Sequence, residues 1–160
     1  GRLANLNLFE FVPFRLNRLA AEVSSALSTE YAERDGLDIP GWRIMATLGF
    51  RGDACSAQYI AHCTRTHKST ISRAVTTLLE RGLIARVENE NDRREFRLGL
   101  TPQGWALYHS LIPRLLRKES EIMACLSDDE RAAFIAALSK IERQLDLVQD
   151  IRSKERPAPY

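Results

Sequence analysis

The apolar positions recur at helical spacing along most of the chain. Phe9, Val12, Leu16, Leu19, Ala20, Val23, Ala26 and Leu27 repeat every three or four residues, which predicts a long helix over Leu6 to Arg34. Pro13 falls inside that run and predicts either a kink or a helix start. Gly36, Pro40 and Gly41 read as a break, and Trp42 to Phe50 as a short second helix. Ser56 to Cys63 follows as a third, with Ser56 as its N-cap. A fourth runs from Thr66 to Arg81 and stops at Gly82.

The period then changes from four to two. Leu83 to Glu88 suits a strand, and Phe96, Leu98 and Leu100 alternate with Glu95, Arg97 and Gly99. Asn89-Glu90-Asn91-Asp92 between them is a polar turn, so the two segments predict a hairpin. Thr101-Pro102 opens a long helix to Cys125, with a second kink expected at Pro113. Ser127-Asp128-Asp129-Glu130 has the spacing of a capping box and opens a last helix to about Gln149. Its apolar face carries Phe134, Leu138, Ile141, Leu145 and Val148. Arg152 to Tyr160 is polar and contains two prolines, the pattern of a frayed tail.

Composition narrows the class. A 160-residue chain with 44% hydrophobic and 28% charged residues is long enough for a domain with its own core. No apolar run approaches the length of a membrane span, and Gly1-Arg2-Leu3 does not begin a signal peptide, so the expected compartment is the cytoplasm. Cys55, Cys63 and Cys125 are odd in number, widely spaced and without a C-x-x-C, which argues against a disulfide framework and a zinc site. No nucleotide-binding, hydrolase or metalloprotease motif is present, and the three histidines fall in unrelated elements, so no enzyme is read here. No cofactor is expected.

Net charge is only +2, but its distribution is uneven. Arg65 to Arg97 holds eight Lys/Arg against five Asp/Glu, while the rest carries fifteen basic and sixteen acidic residues. That is a modest footprint for a polyanionic partner, although a solvated surface can carry the same excess.

The fourth helix has one inward stripe of Ile71, Ala74, Val75, Leu78 and Leu79. Its other side carries Ser69, Arg73, Thr76 and Glu80, flanked by Thr70, Ser72 and Thr77, with His67 and Lys68 at its start. Small hydroxyls and a few long cations suit a helix entering a DNA major groove about 12 Å wide. An ordinary amphipathic surface helix has the same period. The preceding short helix, the glycine stop and the following hairpin add up to a winged helix-turn-helix. Arg93 and Arg94 then sit near the hairpin tip, placed either for the minor groove or as solvated strand-edge charges.

These segments carry a family resemblance. Ser69-Thr70-Ile71-Ser72-Arg73-Ala74-Val75, Leu78-Leu79-Glu80-Arg81-Gly82-Leu83-Ile84-Ala85-Arg86, and the run from Asp92-Arg93-Arg94 to Leu100-Thr101-Pro102-Gln103-Gly104 resemble the MarR family of regulators. The resemblance spans about residues 6 to 149. It implies a mainly α fold with a small β-hairpin wing, comprising a winged lobe over 42–101 and a helical dimerisation region over 6–36 and 102–149; beyond it, 150–160 is read from its composition as a disordered tail. It implies a homodimer on double-stranded DNA at a pseudo-palindromic operator. Lys68, Ser69, Thr70, Ser72 and Arg73 match the recognition-helix positions, Arg94 the wing arginine and Asp92 its acidic partner. Arg65 stands where the family often has glycine, which adds a cation near DNA. His67 stands where Asp or Ser is frequent, so Thr66 is expected to cap in its place.

The resemblance also implies an effector: a small aromatic acid or related thioester bound between the two regions and releasing a repressor from DNA. An aromatic acid needs an apolar wall and a cation. Arg15 and Arg18 on the first helix, Trp42-Arg43 on the second, and more weakly His62, supply both; packing and ion pairing explain the same residues. Two rival readings stand beside this one. A thiol-based redox regulator would use a cysteine, but residues 1 to 54 contain none. A winged-helix protein-interaction module would show apolar anchors on the fourth helix, and hydroxyls and cations occupy it instead.

Overall fold

The computed structural model describes residues 3–88 and 96–147. Among them the element order is α1 (Val12–Ser28), α2 (Ala32–Asp35), α3 (Ile39–Arg51), α4 (Ala57–Thr64), α5 (Lys68–Glu80), β1 (Ile84–Glu88), β2 (Phe96–Leu100), α6 (Pro102–Met123) and α7 (Asp128–Gln144). The expected tail and the hairpin tip, with Asp92, Arg93 and Arg94, lie outside the described residues.

The first helix is shorter than its apolar period predicts. Pro13 occupies its first turn, where a missing N–H is harmless, so the proline starts the helix rather than kinking it. Asn7 to Phe11 form turns ahead of it. At the other end, Tyr31 leaves helical geometry at φ −133° and is buried to 1% exposure, stacked on Trp42 with ring centroids 5.8 Å apart. Pro40 and Gly41, read as a break, are also a beginning. The Asp38 carboxylate accepts from the Gly41 N–H at 2.8 Å, and Pro40 sits in the first turn of α3.

The other helix starts follow their local chemistry. Ser56, Thr101 and Ser127 each cap with the side-chain oxygen, and Glu130 closes the capping box on the Ser127 N–H at 3.0 Å. That contact with the Ser127 backbone and hydroxyl holds the Glu130 carboxyl below its usual range. Gly82 ends α5 with φ +70°, a left-handed geometry that costs a side chain about 1–2 kcal/mol. Pro113 lies within α6.

β1 and β2 form the antiparallel hairpin, with Ile84 opposite Leu100 and Glu88 opposite Phe96. Cys55 adds a one-residue bridge to Leu98, exchanging N–H···O contacts of 3.1 and 2.7 Å. The core beneath this sheet joins Ile44, Met45 and Leu48 of α3, Ile60 of α4, Ile71 and Leu78 of α5, and Leu111 of α6. Burying a residue of this kind contributes about 1.5–3 kcal/mol.

α1 and α7 contribute nothing fully buried. Leu16 and Leu19 of α1 are 44% and 55% exposed, and Leu138 and Ile141 of α7 are 38% and 48% exposed. The N-terminal half of the α1 stripe and the α7 stripe are therefore open, while Leu27 near the end of α1 packs against the core. No described helix is long and apolar enough to cross a membrane.

Candidate nucleic-acid interface

The approach to α5 is built by a tight turn. Arg65 adopts φ +52° and closes α4 by donating its N–H to the His62 carbonyl at 3.3 Å. The left-handed geometry explains why a glycine is the easier residue at this corner. Here the chain accepts the strain and gains an exposed cation at the entrance to α5.

His67, not Thr66, caps α5. Its Nδ1 accepts the Ser69 N–H at 3.1 Å and lies 2.8 Å from the Ser69 hydroxyl. Thr66 is committed elsewhere: its Oγ1 accepts from Arg43 Nη1 at 3.1 Å and lies 3.0 Å from Thr64 Oγ1. The expectation of a Thr66 cap fails because packing against α3 recruits that hydroxyl.

Burial divides α5 cleanly. Ile71, Ala74 and Leu78 are buried, and Val75 and Leu79 are half-buried. Lys68, Ser69, Ser72, Arg73, Thr76 and Thr77 are exposed, and Thr70 is half-buried. Thr76 and Thr77 donate to the Ser72 and Arg73 carbonyls at 3.2 and 3.3 Å, so these hydroxyls are folded back on their own helix. Lys68 and Arg73 make no ion pair among the described residues and stand on the open face. Lys68, Ser69, Ser72 and Arg73 thus share the exposed side of α5, and Arg65 is exposed in the turn before it. Arg86 on β1, which that pattern did not single out, is also exposed, with its guanidinium 5.4 Å from the Phe96 ring centre.

This geometry matches known proteins. A profile of the MarR family matches residues 35–95. A transcriptional regulatory protein named for the hcr operon of Thauera aromatica is 30% identical over 152 residues, covering 90% of this chain and 91% of that protein. The chain belongs to the MarR family of transcriptional regulators. The HTH-type transcriptional regulator PecS of Dickeya dadantii is 27% identical, covering 81% of this chain and 79% of that protein. A MarR family regulator of known structure from Silicibacter pomeroyi superposes with a TM-score of 0.74 at 27% identity, covering 93% and 99% of the two chains. BpsR of Bordetella bronchiseptica, whose structural report concerns regulation of its DNA binding by 6-hydroxynicotinic acid, shares the fold. It superposes at TM-score 0.74 and 22% identity, over 87% and 98%. The relatives are regulators rather than enzymes.

The five residues considered for an effector divide into two groups in this MarR family chain. Arg15 and Arg18 line an open groove along α1 with Val12, Leu16, Leu19 and Glu22. The Arg18 guanidinium also lies 5.2 and 5.5 Å from the ring centres of Phe9 and Phe14. Trp42 packs on Tyr31, Arg43 reaches Thr66, and His62 lines a cleft with Thr66, His67 and Lys68. Arg43 therefore bonds a residue that lines the same cleft as His62.

The thiols differ in environment. Burial pushes the Cys55 thiol up to about 12, keeping it protonated at neutral pH. Cys63 is half-buried and raised for the same reason, while Cys125 is exposed. Among the described residues no three His, Cys, Asp or Glu side chains gather to hold a metal ion.

Proposed function

We propose that the protein is a cytoplasmic homodimeric repressor that binds a pseudo-palindromic operator in double-stranded DNA and leaves it when a small aromatic acid or related thioester binds. The division of α5 carries this reading: an apolar stripe locked into the core behind an open face of Lys68, Ser69, Ser72 and Arg73. An anchored helix with that face has the width and chemistry to read base edges, while the cations hold phosphates.

The open apolar stripes of α1 and α7 support a dimer. Two copies that bury them would present two α5 helices, and successive major grooves lie about 34 Å apart. Arg15 and Arg18, beside Leu16 and Leu19 on α1, offer a cation and an apolar wall, the requirements of an aromatic acid, at the edge of the stripe that a second copy would cover. BpsR, with its 6-hydroxynicotinic acid, is a relative of the same fold that supports this effector class. An effector that favours another spacing of the lobes needs only about 1.4 kcal/mol of coupling to lower operator affinity tenfold.

The test is a salt titration of binding to the DNA upstream of its own gene, repeated with aromatic acids and their thioesters. Tight, salt-steep binding released by one compound supports the whole reading. Binding no tighter than to random duplex would overturn operator recognition. Operator binding indifferent to every compound that itself binds would overturn the effector.

A further inference from the structure

The turn between α2 and α3 is held by two arginines from distant parts of the chain. Arg81, just past the end of α5, donates Nη2 to the Asp35 carbonyl at 2.7 Å and Nη1 to the Gly36 carbonyl at 3.1 Å. Arg114, in the middle of α6, donates Nη1 to the Glu30 carbonyl at 2.8 Å and pairs Nη2 with Asp35 Oδ2 at 3.1 Å. Asp35 is therefore gripped twice, by its carbonyl from the α5 side and by its carboxylate from α6.

The Asp35–Arg114 pair is shielded on both sides, with side chains 13% and 11% exposed. The other ion pairs among the described residues are more exposed, for example Arg131–Glu119 at 43% and 57%. A shielded guanidinium fork holds direction as well as distance, because its N–H groups are fixed in one plane. Lysine, with a single flexible ammonium, cannot serve two acceptors in the same way.

We infer that Asp35, with Arg81 and Arg114, forms a positioning joint that sets the attitude of α5 relative to α6. α5 carries the face assigned above to DNA, and α6 leads into the α7 stripe assigned to the dimer contact. A movement on the dimer side passes through Arg114 to Asp35, and from its carbonyl to Arg81 and the end of α5. The joint thus tunes how far apart the two reading helices stand. In its consequence for DNA this inference rests on the proposed function.

The variants are Arg114→Lys, Arg81→Lys and the pair together. Amide hydrogen exchange is followed on the whole protein, alongside binding to its upstream operator and to the same duplex with one base pair inserted between the half-sites. Arg114→Lys raises exchange at residues 77–83, which Arg114 does not bond. It also narrows the preference for native spacing on the order of five- to tenfold. Arg81→Lys does the same, and the double variant is no worse than either single one, as a shared path requires. Additive effects, or exchange changes confined to α1, α2 and α6, overturn the joint. Absence of any operator binding by the wild type removes the proposed function, while the exchange arm still decides the joint. If Arg114→Lys does not fold, Asp35→Asn, which keeps the carbonyl contact to Arg81, is read by the same two measurements.

Discussion

Replacing Gly104 by alanine tests how the winged lobe is fastened to α6. A Cβ at this position would intrude on the Leu83 carbonyl oxygen, with the carbonyl carbon at 3.0 Å and Leu100 Cδ2 at 3.2 Å. The obstacle is backbone, and that carbonyl is already accepting the Thr101 N–H at 3.1 Å. Thr101 is tied further: its hydroxyl donates to the Gly82 carbonyl at 2.7 Å and accepts from the Gly104 N–H at 3.0 Å. The first turn of α6 must therefore shift as a unit, which places the overpacking cost near the upper end of about 1–3 kcal/mol. Alanine's better helix propensity returns about 1 kcal/mol. The net loss of about 2 kcal/mol corresponds to a fall in Tm of about 4–8 °C for a chain of this size. Thermal unfolding by circular dichroism, at one fixed protein concentration because the assembly is concentration-dependent, measures it. Propensity alone predicts the opposite sign, so an unchanged or raised Tm would refute the close-approach argument.

Four further outcomes are expected. Arg73→Ala weakens operator binding by about 1–3 kcal/mol if its guanidinium meets a base, whereas Lys68→Ala lowers the salt slope by about one; unchanged affinity and slope would remove these residues from the interface. Leu138→Asp places a charge in the open stripe of α7 and converts a dimer into monomers in sedimentation analysis, and a persistent dimer would move the contact elsewhere. Iodoacetamide labels Cys125 first and leaves Cys55 untouched until unfolding; early loss of the Cys55 thiol would revive a redox reading. Because the folded Glu130 carboxyl is held below its unfolded value, its contribution is full above the unfolded value and is lost as pH falls through the folded one. The Tm gap between wild type and Glu130→Ala therefore closes on acidification, and a constant gap would show that the carboxylate charge plays no part.

What could be read from the chain alone was set by interactions reaching no further than about one helical turn or one strand pair. The caps at Ser56, Thr101 and Ser127, the stop at Gly82 and the hairpin are of this kind. So is the division of α5 into a buried stripe and an open hydroxyl-and-cation face, because the helical period alone decides which side chains share a side. Local chemistry left Pro13 open between a kink and a start, and the structure takes the start. Pro40, read with Gly36 and Gly41 as a break, lies in the first turn of α3 behind the Asp38 cap.

The tertiary structure decided everything that depends on partners distant along the chain. Thr66 lost the cap of α5 because Arg43, 23 positions away, claims its hydroxyl. Arg81 and Arg114 carry no periodic signal that would pair either with Asp35, some 46 and 79 positions off, yet both close on that one residue. The stripe of α1 reads as core by its period, but its N-terminal half stays in the open. A hydrophobic period says that a face must be covered and is silent on whether the cover comes from the same chain, since burial depends only on apolar area removed from water.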